Sequence, residues 1–322
     1  MKKVLFINAD KDKSHCAVFQ AGQIYGEALK LSKELDVEIL EVGSASDPLP
    51  DPSAYDAVIF NYQHLTMEII PPAYFSWCPV AIGFLYEARQ VPHDSPMHFG
   101  DLKAGELFDI LISPDPTLGS SKKVWGVPRV IPRFPKMKDV LKNGPPWIST
   151  FGFPSPWKNL KGVVEMMNEE FEEATFRLNF ASASHQDGTP LHERQLNAAK
   201  ELQEIARPGI NISVTQHYFN DSELNSWLSA SDLNVFLSYE ERGLQTGGAL
   251  LASADAAIAA RRPIMVSDNI EARHLSPYVC AKTLKEAMNP NPLMVPPVQF
   301  LYDIWSPENF AGQIDKLVRE RW

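Results

Sequence analysis

The sequence predicts an α/β protein made of two consecutive doubly wound parallel sheets. Three observations predict it. Short apolar runs recur along the chain with no polar alternation inside them, as strands buried on both faces require. Stretches with apolar residues at helical spacing separate those runs. A cluster of prolines then interrupts the alternation near the middle, and the same alternation starts again after it.

In the first half the strands are Val4–Asn8, Val37–Val42, Ala57–Asn61, Val80–Leu85 and Asp109–Ser113, with a helix expected over Val18–Leu35. Pro128, Pro132, Pro135, Pro145 and Pro146 mark the interruption. They place a first domain at 1–137, a linker at 138–146 and a second domain at 147–305. The second domain reads as strand Trp147–Gly152, helix Leu160–Glu170, strand Phe176–Ala181, helix Leu191–Ala206 and strand Ile210–Gln216. Helix Ser222–Ser229 follows, with Asp221 as its expected cap. Strand Leu233–Leu237, an Ala-rich helix Ala249–Ala260 and strand Pro263–Ser267 complete it. A final amphipathic helix, Ser306–Glu320, has Ser306 as its cap and Pro307 at its first position. Two such domains put the carboxyl ends of two sheets around one central cleft, where ligands of doubly wound sheets bind.

Bulk properties exclude several functions. The 322 residues are 44% hydrophobic and 22% charged, which suits a folded chain with a full core. A formal net charge of -10 and a pI near 5.3 argue against nucleic-acid binding and against docking on anionic lipid. Cys16, Cys78 and Cys280 form no CxxC pair and no disulfide framework, as expected of buried thiols in a reducing compartment. Val4–Ile7 is too short for a signal sequence, and no apolar stretch reaches the length of a membrane span, so the expected location is cytoplasmic.

Two loops carry the chemistry. The first, Phe151-Gly152-Phe153-Pro154-Ser155-Pro156-Trp157-Lys158-Asn159, joins a strand to a helix. Gly152 lets a ligand approach the backbone, and Lys158 stands at a helix entrance, where an ammonium and free backbone N–H groups bind phosphate together. An ordinary exposed lysine at a loop end is the plain alternative. The second loop, Ser238 to Ala249, also follows a strand. Its Thr246-Gly247-Gly248-Ala249 turn has the composition of a backbone cradle for a diphosphate, or of a simple flexible turn.

Further residues are candidates by position. His15 and His64 follow first-domain strands and so belong at the ligand-binding edge. Glu87 follows the strand Val80–Leu85 and would serve as a general base in an inverting reaction. Asp10-Lys11-Asp12 reads as a solvated loop rather than a metal site. The pairs His93/His98 and His185/His192 lack a third ligand at convincing spacing. There is no dinucleotide-binding GxGxxG and no P-loop.

The residues Ile148-Ser149-Thr150-Phe151-Gly152-Phe153 with Lys158-Asn159 resemble the opening of the donor domain of family-4-type GT-B glycosyltransferases. Asn220 to Tyr239, and Ala256–Ala260 leading to Arg262–Ser267, are similar to the same domain further on. Weaker similarity to a subgroup covers Ser14–Phe19, Asn61–Met67 and Ser113–Thr117. The resemblance implies a GT-B fold, two Rossmann-like domains facing a central cleft, with the final helix packing back on the first domain. It implies retaining, metal-independent transfer of a sugar from a UDP- or GDP-sugar to a hydroxyl of a glycan, glycolipid or protein, with no cofactor beyond the nucleotide sugar.

On this resemblance Lys158 contacts the donor diphosphate, Glu240 or Glu241 the donor sugar, and Gly247–Ala249 the phosphates, with Gly152, Tyr239 and Thr246 beside them. His64, Glu87 and Glu240 are the catalytic candidates, and His15 and Tyr86 stand on the acceptor side. Three places depart from the pattern, one being that Phe84-Leu85-Tyr86-Glu87 stands where a family His often follows a central first-domain strand. Phe153 stands where the family has Arg. Ala256 stands where it has the Glu that holds the ribose, which leaves the neighbouring Asp255 as the candidate for that task. These departures motivate the alternative expectation, a GT-B-like protein that binds a nucleotide or glycan without turnover.

Overall fold

The computed structural model describes residues 1–9, 17–63, 66–85, 107–136, 144–152, 154–155, 157–180, 190–239, 250–289 and 297–322. They divide into two compact units. The first is built from Met1–Val130 and Ile304–Trp322, the second from Ile131–Gln245 and Leu251–Asp303.

The first unit holds a six-stranded parallel sheet of β1 (Lys2–Ala9), β2 (Leu35–Val42), β3 (Ala57–Asn61), β4 (Ala81–Phe84), β5 (Ile110–Ser113) and β6 (Val124–Gly126) in the order β2-β1-β3-β4-β5-β6. Each of β3, β4 and β5 is buried along its whole length, which is why they read as unbroken apolar runs. One face packs on α1 (Ala17–Leu29), the other on α2 (Pro72–Trp77). Helix α1 stops well short of the expected Leu35. Ser32 turns the chain there, its hydroxyl accepting from Glu34 N (3.2 Å) and Leu35 N (3.0 Å), so Leu35 enters β2 instead. The edge strand β6 was not anticipated, because three residues are too few to show a period.

The second unit holds β7 (Trp147–Phe151), β8 (Ala174–Asn179), β9 (Ile210–Thr215), β10 (Leu233–Phe236) and β11 (Ile264–Val266), all parallel, in the order β11-β10-β7-β8-β9. Its main helices are α3 (Leu160–Glu170), α4 (Pro190–Ile205), α5 (Asp221–Ser229) and α6 (Ser253–Ala259), followed by α7 (Ser276–Val279), α8 (Leu284–Met288) and α9 (Pro297–Ile304). The cap of α5 is Asn220 rather than Asp221. Asn220 accepts from Glu223 N at 3.0 Å while Glu223 returns a carboxylate to Asn220 N at 2.9 Å, a reciprocal capping box. Helix α6 begins at Ser253, not at Ala249, with residues 250–252 outside any helix. Arg261, just beyond it, holds φ at +54° and is the one described non-glycine residue in that region. Its guanidinium donates to Phe134 O at 2.8 Å and, like that of Arg133, lies against the Tyr302 ring.

The last helix, α10 (Pro307–Arg321), belongs to the first unit, with Ser306 as its cap accepting from Asn309 N at 3.0 Å. Phe310, Ile314, Leu317 and Val318 join the core under α1. Asp315 is buried, and its carboxylate accepts from Ser32 Oγ, from Lys33 N at 3.0 Å and from Glu34 N at 3.3 Å. Arg319 pairs with Glu34 at 2.8 Å, and Lys2 lies 4.6 Å from the Trp322 ring.

Candidate functional site

Strand order locates the ligand crevice of each unit. In a doubly wound sheet the crevice opens at the carboxyl ends, where successive strands depart in opposite directions. In the second unit the chain runs from β7 outward to β8 and β9, then returns to β10 and β11 on the other side. The switch point therefore lies between β7 and β10, and the two loops singled out in the sequence leave from those two strands.

They are tied to each other there. Lys158 and Ser238 form an antiparallel bridge, flanked by Asn159 N donating to Leu237 O (3.1 Å) and Tyr239 N donating to Trp157 O (3.0 Å). This pattern makes 158/238 a non-hydrogen-bonded pair, the arrangement that brings opposed side chains closest. Both residues line one small pocket, together with Thr150, Leu160, Phe236, Leu237, Leu251 and Ser253. Trp157 and Tyr239, their neighbours in the bridge, are exposed.

Lys158 Nζ donates to Phe151 O at 2.9 Å, which lays the ammonium over the first turn after β7. Gly152 is required there for two reasons. Its φ is +96°, and a Cβ on it would lie 2.7 Å from Lys158 Nζ. Asn159 then caps α3, accepting from Gly162 N at 3.1 Å, so the lysine stands immediately before a helix entrance. Gly152 N donates to Asn179 O at 2.9 Å, fixing the turn to the end of β8.

Ser238 is tied at both its backbone and its side chain. Its N donates to Ser267 Oγ (2.8 Å), whose own hydroxyl donates back to Ser238 O (2.9 Å). Its Oγ accepts from Asn269 Nδ2 (2.8 Å) and donates to Glu271 Oε2 (3.4 Å). Glu271 is 2% exposed. The sequence reading missed Asn269 and Glu271. A short polar run directly after an apolar strand, Ser267-Asp268-Asn269, was the available signal.

Asp255 lies in the first turn of α6 at 9% exposure and is not among the residues that line the pocket, whereas Ser253 is. Tyr239 stands at the rim, 43% exposed. His15, His64, Tyr86, Glu87, Phe153, Glu240, Glu241, Thr246, Gly247, Gly248 and Ala249 lie outside the described residues.

The first unit has its switch point between β1 and β3. Two asparagines that sequence reading passed over fill it. Asn61 Nδ2 donates to Asn8 Oδ1 and to Val18 O, both at 2.8 Å, and Asn8 Nδ2 donates to Phe19 O at 3.0 Å. Asn8 is 0% and Asn61 1% exposed. Gly22 of α1 packs directly on the pair. Their signal was an amide at the carboxyl end of each of two apolar strands.

Among the described residues no three His, Cys, Asp or Glu side chains gather as a metal centre requires, and no helix is long and apolar enough to cross a membrane.

No protein-family model matches the chain, and no curated protein sequence matches it. Solved structures do. HepE of Anabaena in complex with UDP and glucose is similar over 99% of both chains, with a TM-score of 0.57 at 12% identity. The trehalose-6-phosphate synthase OtsA is similar over 100% of this chain and 99% of its own, at 0.59 and 11%. The N-terminal domain of Candida albicans trehalose-6-phosphate phosphatase is similar over 100% and 97%, at 0.57 and 10%. At such identities the likeness speaks for fold, and with the two parallel sheets it gives the architecture: this is an α/β chain of the GT-B type, two Rossmann-like units each with its own switch point.

Proposed function

We propose that the protein is a glycosyltransferase that moves a hexosyl group from a UDP- or GDP-sugar to a hydroxyl of a glycan, glycolipid or protein, in the manner of the family-4-type enzymes. The observation that carries this reading is the Lys158 ammonium held over Gly152 at the switch point of the second unit. A cation, a glycine-opened backbone and a helix entrance meet where a doubly wound sheet binds its ligand, which suits a leaving diphosphate. The fold supports it too, since solved structures of the same architecture include one holding UDP and glucose.

In this reading Lys158 and backbone N–H groups stabilise the negative charge that develops on the diphosphate, with no metal required. Thr246–Ala249 add backbone donors, Glu240 or Glu241 holds the sugar, and Tyr239 borders it. His64, Glu87 and Glu240 are the residues to test for catalysis, with His15 and Tyr86 on the acceptor side. The reaction takes place in the cytoplasm with retention of configuration. A second reading, binding without turnover, is favoured by the placement of Asp255 outside the pocket and by Ala256 beside it.

The test is a panel of UDP, GDP and their sugars, scored by thermal shift, by calorimetry and by release of free nucleoside diphosphate with candidate acceptors. Lys158→Gln should weaken nucleotide binding at least about tenfold, the worth of one charge-assisted contact, with little change in melting temperature. Binding without release supports the second reading. A melting temperature that no nucleotide raises sinks both.

A further inference from the structure

Ser238 lines the pocket opposite Lys158, and its hydroxyl is polarised by what surrounds it. A serine hydroxyl has one proton to give and two lone pairs to offer. The Asn269 amide nitrogen, 2.8 Å away, can only donate, so it occupies one lone pair. The Glu271 carboxylate, 3.4 Å away, can only accept, so it draws the proton. Asn269 is itself held in place, because its Oδ1 accepts from Glu271 N and Ala272 N, both at 3.2 Å. The Ser238 backbone is fixed by Ser267 on both its N–H and its C=O. One lone pair of Ser238 Oγ is left.

Such a network is expensive if it serves packing alone. Glu271 is a carboxylate taken out of water, which costs several kcal/mol unless its interactions repay it.

We infer that Ser238 is a specificity residue that accepts a hydrogen bond from a hydroxyl of the bound nucleotide sugar, and that Glu271 is the positioning residue that fixes this polarity. The inference rests on the nucleotide-sugar reading of the pocket. The pocket wall then offers two complementary groups: an ammonium that donates to phosphate, and a lone pair that accepts from a hydroxyl of the same ligand. A ligand carrying a phosphate and a hydroxyl close together satisfies both. A ligand whose hydroxyl is replaced by an acceptor leaves two lone pairs facing each other.

The experiment uses the full chain and two series of probes, UDP-glucose and GDP-glucose, each with analogues in which one hydroxyl at a time, on ribose or hexose, is replaced by fluorine. Fluorine keeps the size but cannot donate. The wild-type protein should bind one position of one series about tenfold or more weakly than the parent, as the loss of a directed hydrogen bond predicts. Ser238→Ala should bring that ratio close to one while still binding the plain nucleoside diphosphate. Glu271→Gln should lower the ratio as well, because an amide can donate to Ser238 and turn its proton toward the ligand.

A ratio unchanged in Ser238→Ala, or no analogue discriminated by the wild type, overturns the inference while leaving the Lys158 reading intact. A ratio that falls in Ser238→Ala but not in Glu271→Gln removes Glu271 from the role. Failure of UDP, GDP and both parent sugars to bind removes the nucleotide-sugar reading and this inference with it. If Glu271→Gln does not fold, Ser238→Ala, a small change at a half-buried side chain, still decides the specificity role.

Discussion

The two switch points solve one problem in opposite ways. Each is a gap at the carboxyl ends of a parallel sheet where backbone groups and loop side chains converge. In the first unit the described residues knit the gap together: Asn8 and Asn61 bond to each other and to the first turn of α1, and Gly22 presses on them. In the second the gap is kept open as a pocket, with Lys158 and Ser238 on its wall and Gly152 beneath the ammonium. Both places demand glycine, but Gly22 because side-chain atoms occupy the space, and Gly152 because of a positive φ and a cation. The same place in a parallel sheet can thus be knit by buried amides or lined by polar groups that face a pocket.

The largest expected effect lies in the first unit, away from its switch point, at the turn that leads into β2. Asp315→Ala strips a buried acceptor from Ser32 Oγ and from the N–H groups of Lys33 and Glu34. Stability measured by urea unfolding should fall by about 3 kcal/mol, as several hydrogen bonds to a charge are lost at once, with nucleotide binding unchanged. Gly22→Ala comes next. Helix propensity favours alanine by about 1 kcal/mol, but overpacking against the asparagine pair costs about 1–3 kcal/mol and a broken buried hydrogen bond about 1 more. A net loss of about 2 kcal/mol should appear as a lower urea midpoint, again with nucleotide affinity intact.

Gly152→Ala should cost less in folding, about 1 kcal/mol for an alanine in the left-handed region, yet weaken nucleotide binding because the added methyl displaces Lys158 Nζ. The comparison breaks if Gly22→Ala loses the nucleotide and Gly152→Ala keeps it.

The smallest effect concerns Cys78. Burial, and then the charge of Asp109, push its thiol up to about 12. The folded state therefore holds this proton more tightly than the unfolded chain. Its contribution to stability is whole below the unfolded value near 9 and is lost as pH rises from there toward 12. Alkylation of Cys78 at pH 8, followed by peptide mass spectrometry, should be slow in the native protein and fast in urea. Equal rates would refute the burial argument.

Much of the fold was legible because buried parallel strands leave a simple mark. The unbroken apolar runs at Ala57–Asn61 and Ile110–Ser113 read directly as strands. Ser306 and Pro307 announced α10 by cap chemistry. The start of α6 was illegible for the opposite reason: Ala-rich sequence is helical by propensity at every position, so composition does not say where the first hydrogen-bonded turn forms.

Lys158 and Gly152 could be picked out because a glycine and a lysine flank one strand–helix loop. Ser238's partners could not. Ser267, Asn269 and Glu271 lie about thirty residues further on, and only the pairing of β10 with β11 brings them alongside.

The lock between Asp315 and the Ser32–Glu34 turn also has a consequence for the order of assembly. The second unit is almost one continuous stretch of chain, while the first is completed by residues made after it. A ribosome therefore delivers the whole of Ile131–Asp303 before the helix that covers α1 exists. The first sheet must wait with Tyr25 and Phe84 uncovered on the side where Phe310 later packs, so of the two units the one begun earlier is the one that finishes folding later. Nascent chains halted just after Asp303 should show the second unit resistant to protease and the first still cleaved.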